Sequence, residues 1–199
     1  MTPRSFKADP AYAQAFAALL GKLVQMLDTP PGKPVKLCVA GGAALHIYTG
    51  ARYTRDVDAK LFARAMLDAA KLNVTYLDRD DHVRVLYYDT QYNDTFALMH
   101  QNAYDDAVPV SVQGVDASRL TVTLLAPVDL AVSKVSRFSA QDREDIRTLA
   151  REGLVTAKAF ERRANQALPD YVGNLERVRN SIAIASKDIA ATGKPLRRR

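Results

Sequence analysis

The sequence has few of the residues on which disulfide and zinc chemistry depend. Its 199 residues include one cysteine, Cys38, and three histidines. A single cysteine excludes an internal disulfide and a cysteine-rich zinc site. The histidines, His46, His82 and His100, do not have the spacing of metal ligands, so the pattern disfavours a hydrolase that binds its metal through histidine.

Long hydrophobic runs are absent as well. No apolar run approaches the roughly 18–20 residues that a membrane-spanning helix needs, and the N-terminal stretch MTPRSFKADP lacks the apolar segment of a signal peptide. We therefore expect a cytoplasmic protein without a membrane partner. Hydrophobic residues still make up 48% of the chain and charged residues 25%, which is sufficient for an ordinary folded core.

Charge is distributed unevenly along the chain. From Lys134 to the C-terminus there are 15 Lys and Arg but 8 Asp and Glu, while the whole chain has a formal net charge of +6. The preceding residues are therefore close to neutral. A basic half favours a polyanion such as nucleic acid as partner. A solvated helical surface with a basic tail, Arg197-Arg198-Arg199, explains the same excess equally well.

Hydrophobic periodicity predicts a mixed fold of the α+β class. The first half is predicted to form about five strands, at residues 35–40, 54–61, 83–89, 95–100 and 119–125. Helices are predicted there at residues 10–28, 43–50 and 62–72. The second half is predicted to be helical, at residues 127–138, 142–152, 156–168 and 171–191, with an end near Gly193 and Pro195. We expect a mixed sheet flanked by helices over residues 1–126 and a helical region over 127–199.

The stretch VAGGAALHIYTGARYTRDVDAKLF has the clearest chemical pattern. A predicted strand leads into Gly41 and Gly42 at a helix start, and Asp56 and Asp58 follow on another predicted strand. Side chains two apart on a strand face the same way, so these carboxylates repel each other unless a cation lies between them. Carboxylate oxygens suit Mg²⁺, and a glycine turn at a helix start suits phosphate. The ordered combination predicts phosphoryl or nucleotidyl transfer.

A second polar block lies in the helical half. Lys134 and Arg137 are three residues apart and share a helix face, where their cations could bind triphosphate oxygens or an RNA backbone. Asp142 and Asp145 are likewise three apart at a predicted helix start. Capping and interaction with the helix dipole explain this acidic pair equally well, and an exposed basic face would explain Lys134 and Arg137.

Together these residues resemble the minimal nucleotidyltransferase fold and, more closely, the AbiEii-like toxin nucleotidyltransferases. The resemblance rests on Gly41-Gly42, on TRDVD at residues 54–58 and on residues 127–146, and it covers residues 35–155. It implies a site in which Asp56 and Asp58 hold Mg²⁺, with two ions expected. The nucleotide-binding residues expected in such a site are Gly41, Gly42, Arg55, Lys134, Arg137, Asp142 and Asp145.

The same resemblance implies an activity and a setting. The activity would be transfer of a nucleoside monophosphate from an NTP to an acceptor, with RNA, and tRNA in particular, as the acceptor. The setting would be a bacterial toxin–antitoxin or phage-defence pair with a cognate antitoxin. The alternative is a catalytically silent module on this fold that binds nucleotide, RNA or a partner protein. A third option is a transferase that modifies a protein hydroxyl.

Further residues bear on the predicted site. Many family members have a third carboxylate on a later core strand, and Asp94 is the first candidate and Asp89 the second. Position 42 is glycine where many members have serine, so no hydroxyl is present there. Tyrosines at positions 87, 88, 92 and 104 could stack on bases or could be strand and core residues. His46 is expected to be a packed helix residue.

Overall fold

A computed structural model describes residues 7–27, 30 and 32–192. Its chain divides into two compact units. The first comprises the described residues of Met1–Tyr92 and Ala107–Leu125, and the second those of Asn93–Asp106 and Ala126–Arg199. The described residues form six α-helices and two mixed sheets, which confirms the predicted α+β class. The predicted helix end near Gly193 and Pro195 and the basic C-terminal tail lie outside the described residues.

Three elements of the first unit lead into and out of the glycine turn. Helix α1 (Pro10–Met26) begins at Asp9, whose side chain accepts hydrogen bonds from the N–H groups of its first turn. Strand β1 (Val35–Val39) is apolar and largely buried, and it is followed at once by helix α2 (Gly41–Thr49). Gly50 ends α2 in the left-handed conformation, with φ 65°. These elements agree with the prediction.

The strands of the first unit form two separate sheets. After β1 come β2 (Asp56–Val57), β3 (Ala59–Leu61), β4 (Asn73–Leu77), β5 (Val83–Tyr88), β6 (Val108–Val110) and β7 (Leu120–Leu124). One sheet has the order β3-β1-β7-β6, in which only β1 and β7 are parallel. The other has the order β2-β5-β4, with β2 parallel to β5. Helix α1 packs against β4 and β5.

The predicted strand 54–61 consists of two short strands, because the chain changes sheets at Asp58. Strand β2 pairs with β5, whereas β3 pairs with β1 in the other sheet. Between them, the Asp58 carbonyl accepts a hydrogen bond of 2.7 Å from the Ala40 N–H at the end of β1. The break leaves the alternation of polar and apolar residues unchanged, so the sequence pattern does not reveal it.

Two predicted elements are wrong. Residues 62–72 form no helix apart from one 3₁₀ turn at Ala69–Lys71. Residues 62–66 are all exposed, so no core contact supports a helix whose length alone is marginal. Residues 95–100 form no strand: a turn begins at Thr95, where the Asn93 side chain accepts from the Thr95 N–H and the Asp94 carbonyl accepts from the Ala97 N–H. Such local bonds compete with strand pairing.

Two strands are missing from the prediction. Strand β4 has a half-exposed burial pattern without a buried residue, and β6 has only three residues with a proline at its centre. Both therefore lack the apolar alternation by which strands are recognised. Pairing with β5 and β7, respectively, defines them in the folded chain.

The second unit is helical, as predicted. It contains α3 (Pro127–Ser133), α4 (Ala140–Arg151), α5 (Ala157–Ala167) and α6 (Leu175–Thr192). Helix α6 packs against α4 and α5, and α3 packs against the same two helices. The predicted helix 127–138 ends earlier, at Ser133, whose hydroxyl donates to the Leu130 carbonyl. Within the described part of the chain, no helix has the length and apolar character needed to cross a membrane.

Candidate active site

The glycine turn between β1 and α2 lies directly against the Asp-x-Asp motif. Gly41 has a φ of +55°, a backbone conformation that residues with a Cβ rarely adopt. A Cβ at this position would overlap the Asp58 carboxylate and would lie 2.7 Å from its Cγ. The turn therefore requires glycine both for its backbone conformation and because the Asp58 side chain occupies the adjacent space.

Asp56 and Asp58 lie on the same side of the chain. Val57 and Ala59 are buried, at 0% and 4% exposure, while both aspartates are half-buried, as the alternation of a strand requires. The Thr54 hydroxyl donates a hydrogen bond to Asp56 Oδ1. This bond restricts the orientation of the Asp56 carboxylate.

Thr54 also lies beside the second glycine. A Cβ at Gly42 would be 3.0 Å from the Thr54 hydroxyl oxygen and 3.2 Å from Nη1 of Arg52. The Thr54 hydroxyl thus lies next to the position where many relatives of the resembled fold have a serine side chain. Arg55 is exposed, and its carbonyl accepts a 2.8 Å hydrogen bond from the Tyr87 N–H.

Within the described residues, the N–H groups of Gly41, Gly42 and Ala43 at the start of α2 donate no hydrogen bond. Its N-cap is Ala40, and no side chain of the described residues caps this helix start. The first intrahelical bond runs from the Ala44 N–H to the Ala40 carbonyl. The preceding N–H groups carry the partial positive charge of a helix N-terminus, so this turn can accept an anionic group next to the two aspartates.

Gly41→Ala is expected to lower the free energy of unfolding by about 2–4 kcal/mol. The positive φ contributes about 1 kcal/mol, and the overlap with the Asp58 carboxylate contributes about 1–3 kcal/mol. Urea unfolding would measure the change. The matched control is Gly153→Ala, because Gly153 has a similar φ of +67° but open space around its Cβ position. Gly153→Ala should lower the free energy of unfolding only by the backbone contribution of about 1 kcal/mol.

Equal losses in the two alanine variants would contradict the close contact between Gly41 and Asp58. A second test uses Gly41→Ala combined with Asp58→Gly. Because the second change removes the overlapping side chain, the double variant should recover part of the loss.

Asp89 lies close to the Asp-x-Asp motif in the first unit. Strands β2 and β5 pair Asp56 with Tyr87 and Val57 with Tyr88, and Asp89 directly follows β5. The Asp89 N–H donates to the Val57 carbonyl at 3.2 Å. The sequence shows Asp89 only as the last residue of a strong strand, and its closeness to the motif depends on strand pairing.

Asp94, the first candidate for the third carboxylate, belongs to the second unit. It is half-buried and follows the turn that ends β5. Its carboxylate accepts a hydrogen bond from the Tyr104 hydroxyl. That bond gives Asp94 a structural role in its own segment, whereas Asp89 shares a unit with the Asp-x-Asp motif.

Buried aromatic residues support the loop that precedes the motif. His46 on α2 is 1% exposed, and its Nδ1 donates to the Arg52 carbonyl at 2.9 Å while its Nε2 accepts from the Asp9 N–H at 3.2 Å. Burial lowers the pKa of His46, so the ring is neutral and both its nitrogens are used. The Tyr12 and Tyr53 rings lie 4.2 and 5.1 Å from the His46 ring. The structure agrees with the expectation of a packed helix residue.

The predicted residues of the helical half form a buried charge cluster in the second unit. Lys134, only 6% exposed, donates to Asp145 at 2.7 Å and lies 3.8 Å from Asp142. Asp142 receives two 2.7 Å hydrogen bonds from the Arg137 guanidinium. It also forms a capping box with Ser139 at the start of α4. Capping, which the sequence left open for Asp142, is therefore one of its functions.

The environment of Asp142 keeps its carboxylate ionised. Burial alone would raise its pKa, but hydrogen bonds from Arg137 and Ser139 outweigh burial and hold the pKa at about 2. Because the folded-state pKa lies below the ordinary value, this carboxylate stabilises the fold at neutral pH. That contribution is lost as the pH falls through about 2.

Ion pairs engage much of the basic excess of the helical half. Arg143 and Arg147 pair with Asp188, at 2.5 and 3.1 Å, and other arginines pair in the same way. Among the described residues of the helical half, the exposed cations without an ion pair are Lys158, Arg162, Arg177, Arg179 and Lys187. The open cationic surface is therefore smaller than the count of basic residues indicates.

A further group with metal-ligating atoms occurs in the β4–β5 turn. The ligand atoms of Asp78, Asp80 and His82 lie within 4.8 Å of one another. Burial would raise the pKa of Asp78, but hydrogen bonds from Arg84 Nε and from the Asp80 and His82 N–H groups hold it at about 2. These bonds use the Asp78 oxygens to form the turn, which accounts for the cluster structurally.

Comparison with protein-family models identifies a family that matches most of the chain. Residues 17–180 match a family model with the description "Nucleotidyltransferase of unknown function (DUF6036)". Neither the curated proteins nor the solved structures match the chain. The matched range includes the glycine turn, the Asp-x-Asp motif and the buried cluster around Lys134.

Proposed function

The chain belongs to this family of nucleotidyltransferases of unknown function, and from this premise we propose that it transfers a nucleoside monophosphate from an NTP to an acceptor hydroxyl, with release of pyrophosphate. The observation that carries the proposal is the contact of the Asp58 carboxylate with Gly41 at the start of α2. A metal-ligating carboxylate and a phosphate-binding turn thereby share one location.

The carboxylates of Asp56, Asp58 and Asp89 would hold Mg²⁺. All three are half-buried carboxylates in or next to one short segment of the first unit, and like charges repel when no cation lies between them. An all-carboxylate set of hard oxygen donors suits Mg²⁺, and the residues therefore fit the metal that this activity requires. Two bound ions would offset the charge of the reacting phosphates. The Thr54 hydroxyl would orient Asp56 for this role.

The chain's own groups have distinct tasks in this proposal. N–H groups of Gly41 and Gly42 at the start of α2 would bind the triphosphate, with Arg55 exposed nearby in sequence. Lys134, Arg137, Asp142 and Asp145, the other residues that the sequence predicts to bind nucleotide, belong to the second unit, and phosphate binding by this cluster stays a prediction. Because Lys134 is already paired, it would have to share its ammonium between Asp145 and a phosphate oxygen.

Asp89 is better supported than Asp94 as the third carboxylate, because it shares a unit with the Asp-x-Asp motif and its N–H donates to the Val57 carbonyl within that motif. Asp89→Asn is expected to lower the transfer rate by about 100-fold or more, as removal of a group that takes the acceptor proton would. Asp94→Asn serves as the matched variant and should change the rate only a few-fold. Rates would be measured with saturating NTP and Mg²⁺. A larger loss of rate in Asp94→Asn than in Asp89→Asn would indicate that Asp94 is the third carboxylate.

RNA, with tRNA as a specific candidate, is the proposed acceptor. Exposed Lys158 and Arg162 lie four residues apart on α5, so they share one face of that helix. Arg179 and Lys187 are exposed on α6. Cations of this kind bind phosphate backbones without regard to sequence. The proposed setting is a toxin of the AbiEii-like type with a cognate antitoxin as protein partner.

Incubation with each labelled NTP, Mg²⁺ and total RNA tests the proposed activity. Label that enters RNA, and that EDTA abolishes, would support the transferase and identify the nucleotide. Label that enters a protein band would favour the protein-modifying alternative. Failure of all four NTPs to label any macromolecule would argue against transfer.

A catalytically silent module is the second candidate, and one observation favours it. The Lys134 ammonium is buried in an ion pair with Asp145, as expected of a residue with a purely structural task. This candidate predicts binding of NTP or RNA without incorporation of label. The labelling experiment, combined with a filter-binding measurement on the same samples, separates the two functions.

A further inference from the structure

One face of the β2-β5-β4 sheet is exposed and apolar. Along β5, Val83, Val85 and Tyr87 are 70%, 39% and 42% exposed, whereas the alternating residues Leu86 and Tyr88 are buried. The buried face of this sheet is the one that packs against α1. The other face therefore presents a row of three apolar side chains along a single strand.

Tyr87 is the member of this row closest to the proposed active site. It is the cross-strand partner of Asp56, and its N–H donates to the Arg55 carbonyl at 2.8 Å. Residues paired in this way project from the same face of a sheet, on strands about 4.8 Å apart. The Tyr87 side chain therefore projects beside the Asp56 carboxylate.

The Tyr87 ring lacks the specific contacts that hold other tyrosines in the described part of the chain. No ring contact or side-chain hydrogen bond involves it there. Its neighbour Tyr88 is different, because Tyr88 is buried and its hydroxyl donates to the Ala59 carbonyl at 3.1 Å. The structure thus separates two adjacent tyrosines that the sequence could not distinguish: one is a core residue, and the other offers an exposed aromatic face.

We propose that Tyr87 stacks on a nucleobase of the substrate bound at Asp56 and Asp58. This inference rests on the proposed function, because it assumes that nucleotide chemistry occurs there. An exposed phenol ring matches the flat face of a base, and stacking of this kind tolerates any base. The base could be that of the NTP or the terminal base of an RNA acceptor, and both present the same chemistry to the ring.

Calorimetric titration distinguishes a base contact from a phosphate contact. The probes are Mg²⁺-tripolyphosphate, which has no base, and the Mg²⁺ complexes of the four NTPs. For Tyr87→Ala we expect NTP affinity to fall by about tenfold or more, while tripolyphosphate affinity stays unchanged. Tyr87→Phe retains the ring and should bind as the unaltered protein does. Val85→Ala, on the same exposed face, is the control for loss of apolar surface.

A parallel titration with a short single-stranded RNA identifies the source of the base. Loss of NTP affinity alone assigns Tyr87 to the donor, and loss of RNA affinity alone assigns it to the acceptor; either result supports the inference. Unchanged affinity for both overturns the inference and leaves the proposed function intact. Equal losses for NTP and tripolyphosphate also overturn it, because the ring would then act only through the shape of the site. If the unaltered protein binds none of the probes, the proposed function fails together with the inference.

Discussion

Asp56→Asn and Asp58→Asn are each expected to lower the rate of metal-dependent nucleotidyl transfer by about a thousandfold. Each change removes a negative charge from the set of carboxylates that would hold Mg²⁺ while keeping the shape of the side chain. The Thr54 hydroxyl can still donate to the oxygen of an asparagine at position 56. The loss should therefore appear in activity and not in folding.

The same variants should be as stable as the unaltered protein or slightly more stable. Asp56, Asp58 and Asp89 have the same charge sign, so removing one charge reduces repulsion in the metal-free protein. Thermal unfolding without Mg²⁺ would measure this, and a titration with Mg²⁺ should stabilise the unaltered protein more than either variant. The variants should therefore lose activity without losing stability in the metal-free protein.

Asp80→Asn is the matched control for both measurements. Asp80 is an exposed aspartate in the β4–β5 turn and belongs to the other group with metal-ligating atoms. Its replacement should leave the transfer rate and the Mg²⁺ response unchanged. Full activity in the Asp56 and Asp58 variants would contradict a metal site at the glycine turn. Loss of activity in the Asp80 variant alone would contradict it as well.

Asp145→Ala is expected to lower the free energy of unfolding by about 3–5 kcal/mol. Lys134 is almost fully buried, and its ammonium lies 2.7 Å from Asp145 but 3.8 Å from the Asp142 carboxylate. Removing Asp145 leaves a buried cation with only the more distant partner. The desolvation of that cation, formerly offset by the ion pair, then opposes folding.

Chemical unfolding measures this loss, and thermal unfolding should show a decrease in melting temperature of about 6–20 °C. Glu144→Ala is the matched control, because Glu144 pairs with Arg151 on the surface of the same helix, and its loss should cost less than about 1 kcal/mol. A double variant, Lys134→Met with Asp145→Leu, should regain most of the stability, since apolar pairs often replace buried ion pairs without loss. If Asp145→Ala lowered the free energy of unfolding no more than Glu144→Ala does, a structural role for the Lys134–Asp145 ion pair would be contradicted.

The local features of the active-site segment were predictable from sequence. An apolar run, a glycine pair and a closing Gly50 specify β1, the turn and α2 through interactions within about fifteen residues. The C-terminal helices were predictable for the same reason, because their apolar periodicity and their caps are local signals. Where an element lacked burial, as at residues 62–72, helix propensity alone gave the wrong answer.

The sequence by itself determined the α+β class, the glycine turn and the alternation that turns Asp56 and Asp58 to one side, because each depends on residues close together in the chain. Only the tertiary structure decided that Asp58 contacts Gly41, that the Asp89 N–H donates to the Val57 carbonyl, and that Tyr87 is exposed next to Asp56. It also decided that Lys134 is buried against Asp145. Strand register and side-chain burial arise from pairing between distant segments, and no local pattern of residues encodes which distant segments will meet.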